Sequence, residues 1–214
     1  MPLATLQGHT DTIRGVAFAP DGTMLASAAA NGTVRLWNIA NGERLAMLQG
    51  RTTLHRIAFA PDGEMLAGGT ASGTVRLWRV ADGVRLDTLK GHTAAVLGVA
   101  FSPDGTLLAS GSKDRTIRLW RMVDGACVAT LKEHTAGVGH VAFAPDGKTM
   151  ASASDDLTVR VWQVAGGRCL ATLGGYTASV SSVAFSPDEA WLASGSATRP
   201  SGCGRRRMGR WGKR

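Results

Sequence analysis

The sequence predicts an all-β fold built from repeats of one unit of about 42 residues. A Pro-Asp pair recurs in steps of 41, 42, 42 and 42 residues, starting at Pro20, Pro61, Pro103, Pro145 and Pro187. A tryptophan recurs with the same period, at Trp37, Trp78, Trp120 and Trp162. The 28 glycines fit a chain with many tight turns, and no segment shows a helical period of useful length. Repeats of this kind stack on their neighbours and share a core with them.

Each unit is predicted to contain four short strands, as the third unit shows. Residues 95–101 alternate between apolar and small residues and end at a Ser-Pro-Asp-Gly turn. Residues 107–112 form the second strand, 116–120 the third, and 127–131 the fourth. Four-stranded units of this length are typical of β-propeller blades. We therefore predict antiparallel four-stranded blades, about five in number, with the last one incomplete.

Composition excludes several other classes of protein. With 44% hydrophobic and 19% charged residues, the chain of 214 residues is globular and not disordered. The three cysteines, Cys127, Cys169 and Cys203, have neither the number nor the spacing of a disulfide framework or a metal site. The sequence has no apolar stretch long enough to span a membrane, and its first residues do not have the pattern of a signal peptide. We therefore expect a cytoplasmic protein.

The net charge of +8 belongs to the last 18 residues. Residues 197–214 hold seven basic residues and no acidic one, which leaves 17 basic and 16 acidic residues in 1–196. A basic arm could contact nucleic acid through Arg205, Arg206 and Arg207. The segment also allows a second interpretation. Suitable codons for residues 197–204, read in the frame that starts at each third base, spell D-E-T-V-R-L-W, the third strand that the fifth unit lacks. We expect a disordered, frame-shifted tail on a truncated piece of a larger protein, and we do not expect nucleic acid as a partner.

The repeated motifs resemble those of a known family. The third unit reads Leu-Lys-Gly-His at 89–92, Phe-Ser-Pro-Asp-Gly at 101–105, and Leu-Ala-Ser-Gly-Ser-Lys-Asp-Arg-Thr-Ile-Arg-Leu-Trp at 108–120. This pattern resembles the WD40 repeat, and the resemblance extends from residue 3 to about 196. It implies a rigid propeller that serves protein partners and is usually closed with about seven blades. Here it divides the chain into units at 9–50, 51–91, 92–133, 134–175 and, in part, 176–196.

The number of units leaves two forms of the propeller open, an open arc or a strained five-blade ring. Residues 3–7 bear on this choice because they resemble the fourth strands at 127–131 and 169–173. In the family, such a strand completes the last blade, so residues 3–7 are expected to be a lone fourth strand. An incomplete last blade also leaves an exposed edge through which two chains could associate.

A Ser, a His and an Asp in one unit could form a catalytic triad, but here the set occurs in two successive units. Repetition of this kind indicates architecture, so we predict no enzyme, no cofactor and no metal site. The resemblance implies a buried network in which the carboxylate holds the imidazole, the imidazole bonds the hydroxyl, and the hydroxyl bonds the indole. Its predicted members are His92, Ser112, Asp114, Trp120, His134, Ser154, Asp156 and Trp162. In the first unit Ala29 and Asn31 stand at the hydroxyl and carboxylate positions, and the second has lost the His–Asp pair, so both are expected to be less stable locally.

The resemblance also implies a partner-binding surface on the narrow face, near the start of each first strand and before each turn carboxylate. The candidates are Thr12, Arg14, His55, Leu97, Lys113 and Asp155. Only Arg14 is of a residue type favoured at binding hot spots. His55 and His140 are expected to be ordinary surface or strand histidines. We predict a non-catalytic scaffold that binds a protein or peptide; the alternatives are nucleic-acid binding through the tail, or the sensing region of a modular signalling protein.

Overall fold

The computed structural model describes residues 5–196 as eighteen β-strands, and among these residues no helix is present that could cross a membrane. Residues 1–4 and the predicted basic tail at 197–214 lie outside the described residues. The strands form five antiparallel sheets, called blades 1 to 5 in chain order. Blade 1 contains β1 (Ile13–Phe18), β2 (Met24–Ala29), β3 (Thr33–Asn38) and β4 (Arg44–Gln49). Blade 2 contains β5 (Leu54–Phe59), β6 (Met65–Thr70), β7 (Thr74–Arg79) and β8 (Arg85–Lys90). Blade 3 contains β9 (Val96–Phe101), β10 (Leu107–Ser112), β11 (Ile117–Arg121) and β12 (Cys127–Leu131). Blade 4 contains β13 (Val138–Phe143), β14 (Thr149–Ser154), β15 (Val159–Gln163) and β16 (Cys169–Leu173), and blade 5 contains β17 (Val180–Phe185) and β18 (Leu192–Ser196).

Within each blade, strands that follow one another in the chain are hydrogen-bonded neighbours. The turn after the first strand is built by a Pro-Asp-Gly sequence in blades 1 to 4, and blade 5 has Pro-Asp-Glu at 187–189. In blade 3, the Asp104 carboxylate accepts a hydrogen bond from the Thr106 amide at 3.0 Å, and Gly105 has a φ of +72°. A left-handed φ suits glycine, which explains the residue order of this turn.

In blades 1 to 4, the turn after the second strand also holds a residue with a left-handed φ. Blades 1 and 2 place Gly32 and Gly73 there, with φ values of +82° and +80°. Blades 3 and 4 place Arg115 and Leu157 at the matching positions, with φ values of +71° and +66°. Side chains with a Cβ atom are strained in this region, so these two turns store conformational energy.

The five blades stack into an open arc. Each first strand packs beside the next one, from β1 through β5, β9 and β13 to β17, but β17 does not pack beside β1 in this way. Four hydrophobic cores lie between adjacent blades; in the first, Leu36 of blade 1 packs with Ile57 and Trp78 of blade 2. The all-β prediction is confirmed, and the arc is the form observed instead of a strained ring.

The N-terminal segment does not complete the last blade in the described residues. Residues 5–7 are in no strand, and the sheet of blade 5 holds only β17 and β18. Leu6 nevertheless lies against the position of Gly42, as Leu48 lies against Gly83 and Leu89 against Gly125. In those two later cases the leucine belongs to the fourth strand of one blade and the glycine to the blade that follows. Leu6 therefore marks where the fourth strand of a blade preceding blade 1 would lie.

Candidate functional site

A chain of three hydrogen bonds crosses the interior of blade 3. The His92 imidazole contacts Asp114 Oδ2 through Nδ1 at 2.8 Å and Ser110 Oγ through Nε2 at 2.8 Å. The Trp120 indole N–H donates to the same Ser110 oxygen at 2.8 Å. Since the carboxylate can only accept, Nδ1 carries the ring proton, Nε2 accepts from the serine, and the serine accepts from the indole. Every group in the chain thus has a partner.

Blade 4 repeats this arrangement with the same distances to within 0.1 Å. His134 contacts Asp156 and Ser152, each at 2.7 Å, and Trp162 donates to Ser152 at 2.8 Å. Burial and the neighbouring Arg160 lower the pKa of His134 although Asp156 opposes the change, so the ring is neutral at pH 7. Burial raises the pKa of the Asp156 carboxyl, but hydrogen bonds from Thr158, His134 and the Thr135 amide together outweigh it and lower that pKa to about 2.

The prediction of Ser112 and Ser154 as the network hydroxyls is wrong by two residues. Ser112 Oγ donates instead to the Ala94 carbonyl at 2.9 Å and accepts from the Asp114 amide at 3.1 Å. It therefore braces the turn that presents the carboxylate. Serines two apart on a strand point to the same side, so alternation could not separate Ser112 from Ser110. The pairing of β10 with β11 could have separated the two serines, because Ser110 pairs with Arg118, which lies two residues from Trp120 and so on the same side of β11.

Blade 1 is more complete than its sequence suggested. His9 Nε2 contacts Ser27 Oγ at 2.7 Å, and the Trp37 indole donates to the same oxygen at 2.8 Å. The hydroxyl is therefore present in Ser27, and Ala29 does not stand in its place. Only the carboxylate is replaced: Thr33 Oγ1 lies 3.3 Å from His9 Nδ1 and donates to Asn31.

Blades 2 and 5 depart from the pattern. In blade 2, Gly68 stands where Ser110 stands in blade 3, so Trp78 meets no serine at that position. Thr70 bonds with Ser72 and Thr74 in the turn. In blade 5, the Tyr176 hydroxyl bonds Ser194. This pair keeps one link of the network with a phenol in place of the imidazole.

The network cannot act as a nucleophile in this state. Ser110 and Ser152 are fully buried, and each hydroxyl is already bonded to an imidazole and an indole. A catalytic serine needs an exposed oxygen within reach of substrate. The described residues also contain no group of three side chains with the geometry of a metal site.

The narrow face is the end of the arc that carries the carboxylate turns and the connections between blades. Arg14 of β1 and His55 of β5 lie there on adjacent strands, since a Cβ atom on Gly15 would meet the His55 carbonyl. Burial, and then the positive charges of Arg14 and of Lys113 in the β10–β11 turn, lower the pKa of His55. Arg14 and Lys113 are exposed, and no ion pair involves either of them within residues 5–196. The cluster is therefore cationic.

The remaining candidates of this face have different surroundings. Asp155 and Lys113 flank Gly137: a Cβ atom on that glycine would lie 3.1 Å from the Asp155 carboxylate and 3.4 Å from the Lys113 Cα. The Thr12 carbonyl accepts from the Ala30 amide, which fixes the start of β1. Leu97 is a partly buried residue of β9. Asp155 is thus the one predicted acidic residue close to the cationic cluster.

Comparison with known families places the chain. The family described as "WD domain, G-beta repeat" matches residues 1–38, 42–79, 83–121, 125–163 and 167–199. The chain belongs to the WD40 repeat family. The resemblance seen in the sequence is thereby confirmed. WD40 repeat proteins generally act as non-catalytic scaffolds that bind other proteins, which agrees with the bonded, buried hydroxyls.

Curated WD40 proteins match only short segments of the chain. The small ribosomal subunit protein RACK1z of Arabidopsis thaliana is 40% identical over 52 residues, which are 24% of this chain and 16% of that protein. Human apoptotic protease-activating factor 1 is 47% identical over 45 residues, 21% of this chain and 4% of that protein. Protein Mut11 of Chlamydomonas reinhardtii is 50% identical over 40 residues, 19% of this chain and 11% of that protein. Each match thus spans less than a fifth of the relative's own length.

Two side chains on the inner surface of the WD40 arc make contacts that the sequence analysis did not predict: His140, expected to be an ordinary surface or strand histidine, and Arg56. His140 of β13 accepts a hydrogen bond from the Val183 amide of β17 at 3.1 Å. Arg56 of β5 reaches the Ser181 carbonyl of β17 at 3.4 Å, and so joins blade 2 to blade 5. Burial and the charge of Arg56 lower the pKa of His140 to about 4. The sequence signal for these two side chains is their equivalent position in the first strands of blades 2 and 4. The other blades hold a small residue at that position: Gly15, Gly98 and Ser182.

Proposed function

We propose that this chain is a non-catalytic, cytoplasmic interaction platform whose narrow face binds an acidic segment of a protein partner. The observation that carries the proposal is the cationic cluster of Arg14, His55 and Lys113. Exposed guanidinium and ammonium groups with no ion pair of their own can take a carboxylate without breaking an existing bond. Asp155 beside Lys113 sets a limit on the reach of the acidic segment along this face.

The platform is rigid where it matters for such binding. The turn that presents Lys113 is braced by the bonds of Ser112 and Asp114, and β5, which presents His55, packs against β1 and β9. Arg14 and Lys113 come from different blades, so their spacing is set by the packing of the blades. A preformed site of this kind loses little conformational entropy when it binds.

The proposal is tested by fluorescence anisotropy with a fluorescein-labelled decaglutamate peptide, using a decalysine peptide for comparison. The intact chain is expected to bind decaglutamate, more weakly as salt rises, and not decalysine. The variant Arg14→Glu with Lys113→Glu is expected to lower the affinity by about tenfold or more.

The matched control is Arg79→Glu together with Arg121→Glu. Both arginines are exposed and end β7 and β11 at the opposite end of the blades, where they pair with Asp82 and Asp124. This control should bind decaglutamate as the unmodified chain does. Equal losses in the two variants would show that net charge, and not the narrow face, causes the binding, and would overturn the proposal.

The incomplete fifth blade is a second candidate surface, for association with another copy of the chain. Nucleic-acid binding through residues 197–214 is the alternative and not the expected function; it would require a steep salt dependence that disappears when those residues are deleted. That the chain is a piece of a larger protein stays a prediction, and that it is the sensing region of a signalling protein stays an alternative. The nucleotide sequence beyond codon 190 tests the first of them.

A further inference from the structure

The face of blade 1 that points away from blade 2 exposes three large apolar side chains on one strand. Ile13, Val16 and Phe18 of β1 are 49%, 61% and 67% exposed. They follow one another on the same face of the strand, with a bulge between Ile13 and Gly15 that preserves the pattern. An apolar sheet face of this kind is unfavourable in water and marks an interaction surface.

The same three positions are buried in the next blade. Leu54, Ile57 and Phe59 of β5 correspond to Ile13, Val16 and Phe18, and they are 0%, 6% and 9% exposed. They are covered by Ala26, Ala28, Val34 and Leu36 of blade 1, which lie in the same core. Val99, Val141 and Val183, which correspond to Val16, are likewise buried. The exposed face of blade 1 thus has the composition and shape of a surface that packs against a preceding blade.

The other end of the arc exposes the complementary half of an interblade interface, which carries a small alanine side chain. Ala26, Ala67, Ala109 and Ala151 lie on the second strands of blades 1 to 4, and all four are fully buried, each in a core that includes the following blade. Ala193 occupies the same position in blade 5 and is exposed. The arc therefore presents one half of an interblade interface at each end.

We propose that two copies of this chain associate head to tail, with blade 5 of one copy packed on β1 of the other. The interface continues the interblade contacts that the chain already makes four times, with Ala193 of one copy facing Val16 and Phe18 of the other. The position of Leu6 supports this occupant, because Leu6 already lies where a fourth strand of the preceding blade belongs. That segment of one copy then takes the fourth-strand position of the other copy's blade 5, separated from β18 by the third-strand position. The contact is heterologous, so each copy keeps one free end and longer assemblies can form.

The association is tested by sedimentation velocity of the full chain from low to high micromolar concentrations. We expect a concentration-dependent shift from monomer to dimer and larger species. Val16→Glu with Phe18→Glu blocks the exposed face of β1, called the head, and Ala193→Glu blocks the exposed face of blade 5, called the tail of the arc. Each of these two variants alone is expected to stay monomeric. The matched control is Val123→Glu, since Val123 is 87% exposed in a turn outside both faces, and it should associate normally.

Mixing the two blocked variants separates head-to-tail packing from other arrangements. A head-blocked copy still offers a tail, and a tail-blocked copy still offers a head, so the mixture is expected to form a dimer that neither variant forms alone. Circular dichroism checks that each variant keeps its β-sheet content. A monomeric unmodified chain at every concentration would overturn the proposal. So would a mixture that stays monomeric although the unmodified chain dimerises.

Discussion

The Leu54 Cδ2 atom lies 3.1 Å from the point at which a Cβ atom on Gly68 would be placed. The corresponding residues of blade 3 are Val96 and Ser110, so a larger aliphatic side chain accompanies the loss of the serine. Leu54 is fully buried and fills part of the volume that the hydroxyl group occupies elsewhere. The two substitutions therefore belong together.

We predict that Gly68→Ser and Leu54→Val compensate each other. Gly68→Ser alone should destabilise the fold by about 1–3 kcal/mol because the added atoms meet Leu54 and Trp78. Leu54→Val alone should cost about 0.5–1.5 kcal/mol through lost packing. The double variant should lose less than the sum of the two, as measured by urea unfolding in a double-mutant cycle. Additive losses would contradict the coupling.

The second prediction distinguishes Ser152 from Ser154. Ser152→Ala leaves His134 Nε2 and the Trp162 indole without their partner, and about 1–3 kcal/mol of stability should be lost. The indole N–H resonance of Trp162 should shift in the NMR spectrum. Ser154→Ala, the matched control, should leave that resonance in place because Ser154 bonds the Gly137 carbonyl and the Asp156 amide and not the indole. A shift caused by Ser154→Ala alone would restore the original placement of the network hydroxyl.

The third prediction compares His134→Ala with His9→Ala. Both substitutions leave a serine hydroxyl without its imidazole acceptor, while the indole keeps its bond to that serine. His134→Ala also removes the ring partner of the Asp156 carboxylate. The loss of stability should be larger for His134→Ala. Chemical denaturation midpoints measure the difference, and equal shifts of the two midpoints would show that the carboxylate adds nothing.

The fourth prediction concerns acid. The pKa of His140 is lowered from 6.5 to about 4, so the unfolded chain binds a proton between these pH values that the folded chain does not. Stability should therefore fall as the pH drops from 6.5 towards 4. The pKa values of His9, His55, His92 and His134 are also lowered, and they act in the same direction.

An NMR titration tests directly whether His140 contributes to this loss of stability in acid. Its ring resonances should not titrate above about pH 5, given the lowered pKa. His140→Asn keeps a side chain of similar polarity and should reduce the loss of stability between pH 7 and pH 5. Titration of His140 near pH 6.5 would contradict the burial of this ring against β17.

The fifth prediction concerns the left-handed turn at Leu157. Leu157→Gly should raise the free energy of unfolding by about 0.5–1 kcal/mol, since glycine relieves the strain at this φ but gains entropy when unfolded. Leu157→Ala is the control: it removes the side chain but keeps the strained Cβ atom, so thermal denaturation should show no gain.

The fold could be predicted from the sequence because its signals are periodic. The recurring Pro-Asp pairs and tryptophans fixed the unit, and the alternation within the third unit placed strands close to β9, β10, β11 and β12. The network hydroxyl was misplaced because Ser110 and Ser112 point to the same side of β10, and only the pairing with β11 separates them. The contact of His140 could not be predicted because its partner, Val183, lies 43 residues away in another blade. Contacts between blades depend on the stacking, which no single unit encodes.

The likeness of the four interblade cores has a consequence for how the gene can change. Each core is formed by alanine and valine or leucine from one blade and by aliphatic residues and a tryptophan or leucine from the next. If an internal unit is duplicated or lost, the new neighbours therefore meet surfaces much like those they had before. Because the cores are alike, only the connectivity of the chain sets the order of the blades. Recombination between units can therefore lengthen or shorten the arc without requiring a new kind of interblade contact.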